Sequence, residues 1–88
     1  MELHRILFNK IMMGDCEDPE LYAAEPLYQW QISEQGQWCM ENSIDTPWYT
    51  VRPDGYGFGV SIYGTLTEKD LVYFQLKWAN YGKVNQTN

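Results

Sequence analysis

The chain has 88 residues, a net charge of −6, 44% apolar residues and 16% Trp, Tyr or Phe. That length holds one domain, and so aromatic a composition excludes disorder for its body. Two cysteines are too few for a disulfide framework, and no signal-like start or long apolar run is present, so the expectation is a cytoplasmic protein with free thiols and no membrane span.

The charges are segregated along the chain. Between Ile11 and Val51 there is no Lys, Arg or His, while Asp15, Glu17, Asp18, Glu20, Glu25, Glu34, Glu41 and Asp45 all fall there. The bases Arg5, Lys10, Arg52, Lys69, Lys77 and Lys83 lie outside it. Nucleic-acid backbones and anionic membranes need clustered cations, so this order argues against direct binding to either. Collected acids instead steer association with a basic protein surface.

In chain order, residues 3–12 predict a first strand, with Leu3, Leu7 and Ile11 on one face and His4, Ile6 and Phe8 on the other. Asp18-Pro19-Glu20 is a helix start: an Asp cap, Pro at the first position and an acid near the positive end of the dipole. A short helical turn over 19–25 and a helix over 26–42 that tolerates Gly36 follow, with Leu21, Ala24, Tyr28, Ile32 and Cys39 on one stripe. The alternation of Tyr28, Trp30 and Ile32 leaves a hairpin, 27–33 with 37–42, as the alternative. Residues 47–52 and the alternating Phe58, Val60, Ile62, Gly64 and Leu66 read as strands around a Pro53-Asp54-Gly55 turn. Thr67 and Asp70 stand at capping-box spacing, but the β-branched and aromatic content of 72–74 favours a strand over 71–78. The expected fold is α+β, in the order β-α-β-β-β, a mostly antiparallel four-stranded sheet with one helical layer. The domain spans 1–81, and 82–88 reads as a flexible tail. A last strand apolar on both faces would need cover, and Leu71 and Tyr73 are its candidates for self-association as a homodimer.

No catalytic constellation stands out. His4 is a lone histidine in a strand, Cys16 lies in an acidic setting that opposes a thiolate nucleophile, and Cys39 reads as core. Asp15-Cys16-Glu17-Asp18 lacks the glycine and spacing of a calcium loop, and Gly55-Tyr56-Gly57-Phe58-Gly59 is not a phosphate-binding motif. The expectation is a non-enzymatic protein without metal or cofactor. Trp and Tyr are favoured anchors of protein interfaces, so Trp30, Trp38 and Trp48 join Glu20, Glu34 and Glu41 as candidate protein-interaction residues.

Two runs, Gly14-Asp15-Cys16-Glu17-Asp18-Pro19 through Gln29-Trp30-Gln31 and Glu34-Gln35-Gly36-Gln37-Trp38-Cys39-Met40-Glu41-Asn42, resemble small uncharacterised proteins of large tailed bacteriophages. So do Tyr56-Gly57-Phe58 and the closing Phe74-Gln75-Leu76-Lys77-Trp78. The resemblance implies no activity. It implies a context in which small acidic proteins dock on and inhibit host proteins, including restriction, BREX or CRISPR components and nucleic-acid-handling factors, some by mimicking DNA charge. The competing readings are a structural or virion-associated subunit and a small ligand-binding domain or enzyme.

Overall fold

Three alternating segments pair as an antiparallel sheet: β1 (Leu3–Gly14), β2 (Trp48–Asp54) and β3 (Gly57–Thr67), in the spatial order β1-β3-β2. The structure, a computed structural model, describes residues 2–55 and 57–79. Between β1 and β2 run α1 (Pro19–Tyr22), α2 (Ala24–Ile32) and α3 (Glu34–Asn42). After β3 comes α4 (Glu68–Phe74), which continues as a π-helical turn over Gln75–Ala79. The α+β class holds. Among the described residues the sheet has three strands rather than four, because the expected strand 71–78 is helical. The expected tail, 82–88, lies outside the described residues.

Local chemistry explains that helix. The Thr67 hydroxyl accepts the Asp70 backbone N–H at 3.3 Å, and Glu68 and Asp70 sit in the first turn, where the dipole favours acids. Leu71, Phe74 and Trp78 then point inward at helical spacing, while Val72, Tyr73 and Leu76 face out. A cap and a buried stripe override the β-propensity of Leu71-Val72-Tyr73-Phe74.

β1 alternates as expected up to Phe8. There the ladder with β3 shifts between Leu7 and Asn9, a bulge that resets the parity. Ile11 therefore packs on the core instead of sharing the outer face with Leu3 and Leu7. β2 and β3 are joined at Gly55, whose φ of 65° is accessible to glycine at no steric cost.

The expected helix over 26–42 is broken at Ser33, which is extended (φ −71°, ψ 165°) and caps α3 through its hydroxyl on the Gly36 N–H. The hairpin alternative does not form. Pro26 sits in the first turn of α2, where a missing N–H leaves no intrahelical bond unmade. Of the expected stripe, Leu21, Tyr28 and Ile32 face solvent and Cys39 is buried, while Ala23, Leu27 and Trp30 face the sheet. Trp30 buries more apolar area than any residue of the competing stripe. It stacks on Phe8 with ring centroids 6.2 Å apart, and its indole N–H donates to Gln35 Oε1 at 2.8 Å. The core is Phe8, Trp30, Cys39, Ile62, Leu66 and Phe74. Among the described residues all the helices cover one face of the sheet, and the other face is bare.

Candidate functional site

The helical layer presents one exposed surface. Asp18 Oδ1 accepts the Leu21 N–H at 3.4 Å and starts α1. The backbone runs on through the α-conformation of Ala23, which donates to Pro19 O at 2.9 Å and accepts from Leu27 N–H at 3.0 Å. With Ala23, Leu27 and Trp30 committed to the core, helical periodicity throws Leu21, Tyr28 and Ile32 outward on a single stripe, with Glu25 between them. Leu21, Tyr22, Tyr28 and Ile32 are 69%, 58%, 57% and 48% exposed. Scattered apolar residues are ordinary on a surface, but a contiguous helical stripe rimmed by Glu20 and Glu25 is an interface pattern.

The expected interaction residues fall into three groups. Glu20, Glu34 and Glu41 are all exposed, Glu20 on α1 and the other two on α3. Glu34 is joined to Lys77 in a hydrogen-bonded ion pair, and that hydrogen bond raises the Lys77 ammonium above its ordinary pKa. Trp48 is exposed, but on the sheet rather than the helices. Trp30 and Trp38 are corrections. Trp30 is a core residue, and Trp38 is half-buried in an aromatic cluster, stacked on Tyr73 at 5.2 Å and tilted against Trp78 at 5.4 Å. The Trp30 ring is spent on packing between α2 and β1, and the Trp38 ring on packing between α3 and α4. Leu71 and Tyr73 are corrected too. They belong to α4, with Leu71 against the core and Tyr73 on Trp38, so no two-faced strand calls for a homodimer.

The second exposed surface is the bare face of the sheet, which linear reading missed. Register aligns Leu7 and Trp48 with Tyr63, and Lys10 and Thr50 with Ser61, so these side chains share that face with Arg5 and Arg52. Trp48 and Tyr63 stack across β2 and β3 with centroids 6.0 Å apart and planes 21° apart. Two shallow hollows flank the pair. One, of about 470 Å³, is lined by Arg5, Leu7, Trp48, Thr50 and Arg52, and the other, of about 300 Å³, by Lys10, Arg52, Gly59 and Ser61; Tyr63 borders both. The signal was present as parity: Arg5 and Leu7, and Trp48, Thr50 and Arg52, each alternate in step. What was missing was the antiparallel register that superposes them.

The remaining chemistry is sparse. A hollow of about 200 Å³ opens between α2 and β2, lined by Leu27, Trp30, Met40, Pro47, Tyr49 and Ile62. It is smaller than the 300–1,000 Å³ typical of ligand pockets. Glu2, His4 and Glu68 place their ligand atoms within 4.8 Å of one another. The pairing of Leu3 with Thr67 explains this, since it brings the residues on either side opposite each other, with His4 two residues along β1. His4 Nε2 stands 3.8 Å from Glu2 and makes no hydrogen bond among the described residues.

Cys16 and Cys39 are free thiols, and burial pushes Cys39 from 9.0 up to about 12. Two outcomes follow. At pH 8 a disulfide reagent should modify one thiol per native chain, at half-buried Cys16, and two after denaturation. Above pH 9 the folded chain keeps a proton that the unfolded chain releases. Stability should therefore be full below that pH and fall towards pH 12 by about 1.4 kcal/mol per pH unit. Rapid labelling of both thiols in the native state would contradict the burial of Cys39.

Among the described residues no helix is long and apolar enough to cross a membrane. The chain matches no protein-family model, no curated protein and no solved structure.

Proposed function

We propose that this is a non-enzymatic binding domain that docks on a protein partner through the outer face of α1 and α2. The observation that carries this reading is the exposed stripe Leu21, Tyr28 and Ile32, flanked by Tyr22, Glu20 and Glu25. Such a stripe fits an apolar groove by the helix-in-groove mode, with aromatic and aliphatic anchors at helical spacing. The cation-free segment that bears it selects a groove edged with Lys or Arg. The resemblance to small phage proteins extends the proposal to a host defence or nucleic-acid-handling protein with a basic surface, and to inhibition as the outcome.

The test is a paired one. The Tyr28→Ala/Ile32→Ala variant should keep its melting temperature, because exposed substitutions change stability by only about 0.5 kcal/mol each. It should lose at least about tenfold in affinity for the protein captured from host lysate by the wild-type domain, as loss of two interface anchors predicts. Glu20→Lys/Glu25→Lys should weaken capture at low salt and change little at high salt. Capture that both variants leave intact would overturn this surface. Recovery of the protein in purified virions, with no host protein retained, would favour the structural-subunit reading.

A further inference from the structure

We infer that the bare face of the sheet is a second binding surface, for single-stranded RNA. The sequence order of charges argued against nucleic acid, but it speaks only of neighbours along the chain. Folding brings Arg5 from β1, Arg52 from β2 and Lys10 from beyond the bulge onto one face. These are three of the six bases in the chain, and each lines at least one of the two hollows. The two arginines carry the charge argument, since both are exposed and Arg52 borders both hollows.

Charge alone would suit any polyanion. The aromatic pair narrows the choice. Trp48 lies on an edge strand, so among the described residues the ring face it turns from Tyr63 has no further strand beside it. Trp48 remains 37% exposed even in its stack. A base can extend that stack while its phosphates reach Arg5 and Arg52, the combination by which single-strand binders work without reading sequence. A duplex offers no such base, because its own are stacked within. Between the aromatic pair and Arg52 stand the hydroxyls of Thr50 and Ser61, paired directly across β2 and β3. They donate and accept at the level of the sugar, where a ribose 2′-hydroxyl distinguishes RNA from DNA.

The acidic net charge does not oppose this. Glu20, Glu25, Glu34 and Glu41 belong to the helical layer on the other side of the sheet. A helix diameter, about 10 Å, exceeds the screening length of about 8 Å at physiological salt. Asp45 is nearer, at the margin of the face, and its carboxylate accepts from the Thr65 hydroxyl. Thr65 pairs with Arg5 and lies two residues from Tyr63, so that acid stands at the Arg5 and Trp48 end of the face. The site extends from there towards Thr50, Ser61 and Arg52.

The experiment is fluorescence anisotropy of a labelled octauridylate with the full chain. Binding should be weak, with Kd between about 10 µM and 0.1 mM at low salt. Two phosphate contacts predict a weakening of about sevenfold between 50 and 200 mM salt. Trp48→Ala should weaken binding about tenfold by removing one stacked base. Arg5→Glu/Arg52→Glu should abolish it, with the fold checked by circular dichroism. Tyr28→Ala/Ile32→Ala, on the helical layer, should leave it unchanged, which separates this site from the proposed protein interface. Four results would overturn the proposal: no anisotropy change up to about 0.1 mM protein; wild-type affinity in both the Trp48 and the arginine variants; an oligoglutamate peptide competing as well as octauridylate; or equal affinity for octathymidylate. So would salt-sensitive self-association abolished by the arginine variant, since a second copy would then be the occupant.

Discussion

Gly36→Ala is expected to lower the melting temperature by about 15 °C, against the usual sign for that substitution in a helix. By propensity alone, alanine in place of glycine stabilises a helix by about 1 kcal/mol. Gly36 lies in the first turn of α3, fully inside, where the chain has just reversed at Ser33. A Cβ at this position would lie 1.8 Å from the carbonyl oxygen of Trp30, 2.6 Å from its carbonyl carbon and 2.9 Å from Cα of Gln31. These are backbone atoms, which cannot rotate away as a side-chain tip would. The same Trp30 oxygen accepts the Ser33 N–H at 3.0 Å and the Ser33 hydroxyl, and that hydroxyl accepts the Gly36 N–H at 3.1 Å. Relieving the contact therefore means separating α2 from α3, breaking this small network and drawing Trp30 off Phe8. Overpacking of this kind costs about 3 kcal/mol, and each 1 kcal/mol moves the midpoint of so small a domain by about 4–8 °C. Gly59→Ala is the control. There the nearest atom is a flexible side-chain end, Met12 Sδ at 3.4 Å, and the change should be about 1 kcal/mol or less. A thermal melt of both variants decides it. A raised midpoint for Gly36→Ala would mean that α2 and α3 do not meet as closely as described.

Gly36 also shows what in this chain can be read before folding and what cannot. Periodicity located the strands around Ile6 and Phe8, around Thr50 and around Val60 to Leu66, because alternation is a local property. The cap at Asp18 was legible for the same reason. The cap at Thr67 was equally visible, but it competed with the β-propensity of Val72 to Phe74, and only the inward burial of Leu71, Phe74 and Trp78 decides between them. The stripe of α1 and α2 could not be assigned by pattern. Leu21, Tyr28 and Ile32 form an apolar stripe as regular as Ala23, Leu27 and Trp30, and both cannot face one sheet. The choice rests on tertiary features: Gln35, from the next helix, offers an acceptor to the Trp30 indole, and Asn9 of β1 donates to the same oxygen at 3.2 Å. The stripe left outside is the proposed protein interface. Its residues were thus identified correctly as apolar and helical, but the pattern did not say which side they face. Trp30 and Trp38 were misassigned in the opposite sense, since an aromatic residue in a helix reads the same whether it anchors a core or a partner. The basic sheet face depended on register, a relation between residues more than forty positions apart, such as Leu7 and Tyr63.

Register of that kind also predicts a coupling at the centre of the domain. Gly64 of β3 pairs with Ile6 in the ladder, and the bulge beyond Leu7 lays the Phe8 ring directly over it. A Cβ at Gly64 would lie 2.2 Å from Phe8 Cε2 and 2.4 Å from Cζ, with Ser43 Oγ at 2.9 Å. The ring cannot swing aside, because Trp30 stacks on it and Phe74 lies 5.5 Å away in a tilted contact. Gly64→Ala is therefore expected to cost about 3 kcal/mol. Phe8→Leu alone should cost about 1–2 kcal/mol, through lost ring area and a residual cavity. Leucine ends at Cδ and has no atoms where Cε2 and Cζ of the ring stand. In the double variant the new methyl enters the space the ring has left, so the costs should not add. Chemical denaturation of the wild type, both single variants and the double variant should give a favourable coupling of about 1–2 kcal/mol, within the range for directly contacting residues. The residual contact with Ser43 keeps the double variant below the wild type, since its hydroxyl also donates to the Asp45 carbonyl and accepts the Thr65 N–H. Strict additivity would place the Phe8 ring elsewhere, and with it the bulge that turns Arg5 and Leu7 towards the open face while Ile11 turns in.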